Sequence, residues 1–125
     1  MRVLLDTHIL LWCLADDPKL SNQARRLIEN ATEVYISAAS YWELAIKIGL
    51  GKLEVDLLEI RQAAEQSGFM EVPISSEHAI AILGLANHHK DPFDRLIVAT
   101  AITEPMRLIT ADKLVAQYTE LATLV

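Results

Sequence analysis

"RVLLDTHILLWCLA", residues 2–15, decides the architecture. "RVLL" (2–5) reads as a strand buried on both faces, because its apolar residues run on without alternation. "HILLWCLA" (8–15) then reads as a helix. A buried strand passing at once into a helix is the opening of a crossover unit, which pairs parallel strands. Between the two stands Asp6, at the carboxyl end of the strand.

The same alternation continues outward. "SNQARRLIEN" (21–30) reads as a helix capped by Ser21, "EVYIS" (33–37) as a second strand, and "AASYWELAIKIG" (38–49) as an amphipathic helix ending at Gly49. "LLEIRQAAEQSG" (57–68) is a further helix and "FMEVP" (69–73) a third strand. Helices are expected at 75–86 and 92–103, a fourth strand at "MRLIT" (106–110) and a short last one at "LATLV" (121–125). The class is α/β with a mostly parallel sheet of about five strands, in one domain over residues 1–125.

Bulk properties narrow the function. A chain of 125 residues that is 52% apolar buries a real core without staples and is not a disordered tail. Its longest apolar run, Ile9 to Ala15, is far too short to span a bilayer. Arg2 before Val3, Leu4 and Leu5 resembles a signal start, but Asp6 and His8 interrupt the run. The single cysteine, Cys13, excludes an intrachain disulfide or a thiolate metal site and reads as a small core residue. A soluble cytoplasmic protein is expected. The net charge of −6 speaks against nucleic acid as a partner unless the acids gather around cations, which invert the local charge.

The acids do converge on one edge. In a parallel sheet each strand ends, and each crossover helix starts, at the carboxyl edge. Asp6 follows the first strand and Asp112 the fourth, in "LITAD". Glu43 lies in the helix after the second strand, and Asp94 in the first turn of the helix before the fourth. Open α/β folds bind their ligands at that edge. Each acid also has a local reading. Asp6 and Asp112 can cap the helices that follow, and Glu43 can pair with Lys47 one turn on. In "HKDPFDRLIVATA" (89–101), Asp91 can be the N-cap, Pro92 the first helical residue and Asp94 the third.

Two carboxylates about 4 Å apart repel by about 4 kcal/mol at an effective dielectric near 20. Such neighbours share protons, find basic partners or bind cations. Oxygen-only ligation favours Mg²⁺ or Mn²⁺, and that chemistry suits phosphodiester hydrolysis.

"LLDTHILLW", "SAASYWELAIKIGLGKL", "HHKDPFDRLIVATA" and "LITADKL" together resemble PIN-domain ribonucleases, and more narrowly the VapC-type toxins of bacterial toxin–antitoxin modules. The resemblance spans nearly the whole chain. It implies an α/β/α sandwich, Mg²⁺- or Mn²⁺-dependent cleavage of RNA, homodimerisation and neutralisation by a small cognate antitoxin. It places Asp6, Glu43, Asp94 and Asp112 in the site, with Asp6 and Asp94 as the main metal ligands. Thr100 stands where relatives often carry glutamine, a departure expected to affect packing rather than chemistry.

Two other classes fit part of the pattern. A receiver-like signalling domain also gathers aspartates at this edge, but it would want a lysine after its final strand. A catalytically idle α/β binding module would have no use for the full acid set. Around the acids, Thr7 and Thr110 could bond ligands or water, and Lys47, Lys52, Arg95 and Lys113 could steer phosphate. His88 and His89 suggest zinc only weakly, "GLGKL" lacks the spacing of a phosphate-binding loop, and Trp12 and Trp42 read as core or dimer contacts.

Overall fold

A computed structural model describes residues 1–88 and 90–125; the expectation for His89 lies outside the described residues. Its strands are β1 (Arg2–Leu5), β2 (Glu33–Ser37), β3 (Met70–Val72), β4 (Arg107–Thr110) and β5 (Ala122–Leu124). The helices are α1 (Thr7–Leu14), α2 (Asn22–Glu29), α3 (Ala38–Gly49), α4 (Leu57–Gln66), α5 (Ser76–Ala81), α6 (Pro92–Thr103) and α7 (Lys113–Ala116). All strand pairs are parallel, in the order β3-β2-β1-β4-β5. Receiver domains use the order 2-1-3-4-5, so the connectivity here is a different one.

Alternation along β1 builds the layers. Val3 and Leu5 point into one apolar cluster with Ile9, Leu10, Ala24, Ile36 and Ala64, supplied by α1, α2, β2 and α4. Leu4 points the other way, into a cluster with Leu96, Ile97, Ala101, Leu108 and Val115 from α6, β4 and α7. Both faces of β1 are therefore covered, which explains why its sequence does not alternate. Full burial of each such Leu or Ile contributes roughly 1.5–3 kcal/mol. Thr100, buried on α6, donates its hydroxyl to the Leu96 carbonyl at 2.8 Å, a packing role as expected.

Two helix endings refine the sequence reading, beyond shifts of one or two residues elsewhere. The pattern over 75–86 divides into α5 and a tighter 3-10 turn at Ile82–Gly84, a common way for a short helix to end. At the end of α3 it is Gly51, with φ 72°, that takes the left-handed position, while Gly49 remains helical. The amides of Gly51 and Lys52 then donate to the Ile48 and Lys47 carbonyls, closing the helix end. Among the described residues no helix is long and apolar enough to cross a membrane.

The chain leaves β1 for β2 and β3 on one side and returns to β4 on the other. That reversal opens a crevice at the carboxyl ends of β1 and β4, the topological switch point where such sheets take their ligands.

Candidate active site

Asp6 floors this crevice. Its amide donates to the Ile109 carbonyl of β4 at 3.0 Å, so it still belongs to the sheet edge. It is also the N-cap of α1, with Oδ1 accepting the Thr7 amide at 2.8 Å. The second oxygen, Oδ2, accepts the Thr110 hydroxyl at 2.7 Å. Thr110 in turn accepts the Asp112 amide at 3.0 Å, so one buried hydroxyl ties the ends of β1 and β4 together. Asp6 is only 5% exposed, and its pKa is raised, chiefly by burial. The Thr110 and Thr7 bonds and the charge of His8 oppose that rise, while Glu43 adds to it.

Thr7 makes a further link: its hydroxyl donates to Ser40 Oγ at 2.9 Å, and both residues are buried. Ser40 lies on α3 one turn before Glu43, so the pair couples the start of α1 to the helix that carries the glutamate. Sequence reasoning singled out Thr7 but missed Ser40. The signal available was a small polar residue three positions before Glu43, on the same helix face.

Glu43 makes the expected contact with Lys47 and is nonetheless buried. Lys47 Nζ donates to Oε2 at 2.9 Å, the expected contact one turn on, yet Glu43 is only 6% exposed. Its other oxygen, Oε1, is buried and finds no hydrogen-bond partner among the described residues. A buried carboxylate oxygen without a donor is costly, and it is free to accept a cation.

Asp91 and Asp112 are caps. Asp91 Oδ1 accepts the amides of Phe93 and Asp94 at 2.9 and 3.1 Å, with Pro92 opening α6. Asp112 Oδ1 accepts the Leu114 amide at 2.8 Å. Asp94 is more than a first-turn acid. Its pKa is pushed up to about 8 by burial first, and then by the charges of Asp6, Asp91, Glu43 and Asp112 in that order. The charges of all four other acids singled out in the sequence act on Asp94. Capping and crowding hold together at this edge.

The basic residues divide. Lys47 is engaged by Glu43. Arg95 donates to the Ala86 carbonyl and the Tyr118 hydroxyl at 3.0 and 3.1 Å, a structural tie rather than a phosphate contact. Lys113 instead lines an open groove of about 530 Å³ together with Asp6, His8, Trp12, Ala111 and Asp112. His88 packs edge-on against Tyr118.

The donors fit a hard divalent cation: all are carboxylate oxygens, and one of them, Glu43 Oε1, is buried without a hydrogen-bond partner among the described residues. Among the described residues no three His, Cys, Asp or Glu side chains form a ready-made cage. Mg²⁺ commonly uses one or two carboxylates and keeps several waters, so the fit concerns donor chemistry, not a preassembled shell.

A family model described as "PIN domain" matches residues 3–121. The chain is 35% identical over 114 residues to "Ribonuclease VapC22" of Mycobacterium tuberculosis, covering 89% of this chain and 87% of that protein. Its fold is similar to that of VapBC2 from Rickettsia felis, solved bound to a promoter DNA fragment. There the TM-score is 0.69 at 19% identity, over 100% of this chain and 98% of that one. A toxin–antitoxin complex from Klebsiella pneumoniae is similar with a TM-score of 0.66 at 22% identity, over 97% and 95% of the two chains.

Proposed function

Because this chain belongs to the PIN-domain family, we propose that it is a metal-dependent endoribonuclease acting as the toxin of a toxin–antitoxin module. The observation that carries the reading is the buried, unpartnered Oε1 of Glu43 together with Asp6 fixed at the carboxyl edge of the sheet. Burial first, then its acidic neighbours, raise the Asp94 carboxyl to about 8. Displaced pKa values of this size concentrate at functional sites.

Asp6 and Asp94 would hold Mg²⁺ or Mn²⁺, Glu43 would complete the set or orient the attacking water through its unpartnered Oε1, and Asp112 would act from an outer position. The bound ion would polarise the phosphodiester and lower the pKa of a water. The protein's own part is to hold these carboxylates rigid. Thr110 and the Thr7 amide fix both oxygens of Asp6. Lys47 pins one oxygen of Glu43, while the other stays buried and unbonded among the described residues.

Two surfaces support the proposed partners. Trp42 is 53% exposed and stacks edge-on with Phe93 at 4.8 Å, with Ile46 and Leu50 exposed further along α3. That apolar face supports a homodimer. A groove of about 600 Å³ between α1 and α4 is apolar at Leu11, Trp12 and Ile60 and acidic at Asp17, Glu54 and Glu59. It suits an apolar, basic segment of a small antitoxin, and an antitoxin arginine would pair well with the clustered carboxylates.

The test is cleavage of single-stranded RNA by the purified protein in Mg²⁺ or Mn²⁺ against EDTA, alongside Asp6→Asn and Asp94→Asn. Metal-dependent cleavage lost in both folded variants is expected. Cleavage that survives EDTA or either substitution removes the reading and leaves a binding module or a different chemistry.

A further inference from the structure

We propose that the groove beside Asp6 is a nucleobase platform, in which Trp12 and His8 hold by stacking the base of an RNA nucleotide next to the scissile phosphate; this rests on the ribonuclease reading above. The groove shares only Asp6 and Asp112 with the acid cluster, and its lining does not include Glu43 or Asp94. It is therefore a chamber adjoining the carboxylates, on the β4 side, where a nucleotide anchored at its phosphate would place its base or sugar.

The walls have the chemistry for that. His8 and Trp12 stand one turn apart on α1, so both rings project from one face of the helix. Their centroids are 6.1 Å apart with the planes inclined at 44°. His8 is exposed, while Trp12 is half-buried and packs against the core on its inner side. A ring anchored from behind is a rigid stacking surface that costs little entropy to use. On the opposite wall Lys113 is exposed at the rim, placed for an adjacent phosphate. Aromatic rings beside a cation are how proteins hold single-stranded RNA, with the ring accepting any base face and the cation following the backbone. A volume of about 530 Å³ lies within the range of small-ligand pockets. The core reading of Trp12 accounts for its inner side but not for the part of it that lines the groove with Asp6 and Asp112.

The test compares Trp12→Leu, Trp12→Phe and His8→Ala with the parent, using single-stranded RNA decamers and Mg²⁺. Trp12→Leu keeps apolar bulk against the core and removes the stack. It should raise KM roughly 5- to 100-fold with kcat little changed, and alter which bond in the decamer is cut. Trp12→Phe should restore most of the loss and the original cut site. A separate measurement needs no cleavage: in a Trp42→Phe background Trp12 is the only indole, and the decamer in Ca²⁺ buffer should quench its fluorescence. Unchanged KM and cut site in Trp12→Leu, or a loss that Trp12→Phe does not rescue, overturns the platform while the nuclease stands. If the parent cuts no RNA, the ribonuclease reading fails. Quenching by the decamer then upholds base stacking on Trp12 without a scissile phosphate beside it, and its absence overturns the stacking too.

Discussion

The Thr110 hydroxyl donates to Asp6 Oδ2 at 2.7 Å across 104 residues of sequence and accepts the Asp112 amide at 3.0 Å. One side chain thus sets the distance between two strand ends that carry acids. Thr110→Val keeps the shape and removes the bond, leaving a buried carboxylate oxygen unsatisfied. The expected cost is about 1–3 kcal/mol of stability, with weaker Mn²⁺ binding by calorimetry. Thr110→Ser should restore both. A Val variant that binds Mn²⁺ like the parent would show that Thr110 is only a packing residue.

Lys47→Met should act on Glu43. The substitution leaves a 6% exposed carboxylate without its cation. Breaking a buried pair from one side costs about 3–5 kcal/mol, and because Lys47 is partly solvated and screened the cost here should be at the low end or below it. RNA cleavage should fall mainly in kcat, since Glu43 loses its fixed orientation. Arginine at 47 should recover most of the rate. Full activity in Lys47→Met at unchanged KM would remove the orienting role.

The raised pKa of Asp94 makes stability depend on pH. The folded protein holds a proton up to about pH 8 that the unfolded chain, with a carboxyl near 3.8, releases much earlier. Between those values the native state binds more protons, so the metal-free protein should lose stability as pH rises from about 4 to about 8 and level off beyond. Asp94→Asn should flatten that slope. Denaturant midpoints at pH 5, 6.5 and 8.5 check it, and equal slopes in parent and variant would refute the assignment.

Metal binding should carry the opposite pH dependence. Asp94 must lose its proton to ligate, so Mn²⁺ affinity should rise towards pH 8 with proton release on binding. Calorimetry in buffers of different ionisation enthalpy measures the protons released. None at pH 7 would mean that Asp94 is not a ligand.

Much of this was legible in the sequence, for reasons that particular residues make clear. The unbroken apolar run of Val3, Leu4 and Leu5 announces a strand covered on both faces; the predicted ranges of β2, α3 and α6 match the structure. Parallel topology then carries Asp6, Glu43, Asp94 and Asp112 to one edge, so their electrostatic coupling was foreseeable from order alone. What sequence could not give was side-chain partnership over long separations. Thr110 with Asp6 and Thr7 with Ser40 depend on register between strands and helices. The His78–Glu104 contact joining α5 to the end of α6 was also missed, since nothing in the local pattern of either residue points to the other. Arg95 shows the same limit: its place beside Asp94 allowed a phosphate contact or a surface ion pair, whereas its guanidinium donates to the Ala86 carbonyl and the Tyr118 hydroxyl.

The proposed metal site requires that the acids act together besides capping their helices. Thermal melts at pH 8.5 of the parent and Asp94→Asn, each with and without Mn²⁺, test it most directly. Without metal the variant should melt several degrees above the parent, because one crowded charge is gone. Mn²⁺ should raise the parent's Tm by binding the native state, and raise the variant's much less. Since asparagine caps about as well as aspartate, four equal melting temperatures would mean that these residues only begin helices, and the account of a metal-dependent nuclease site would be contradicted.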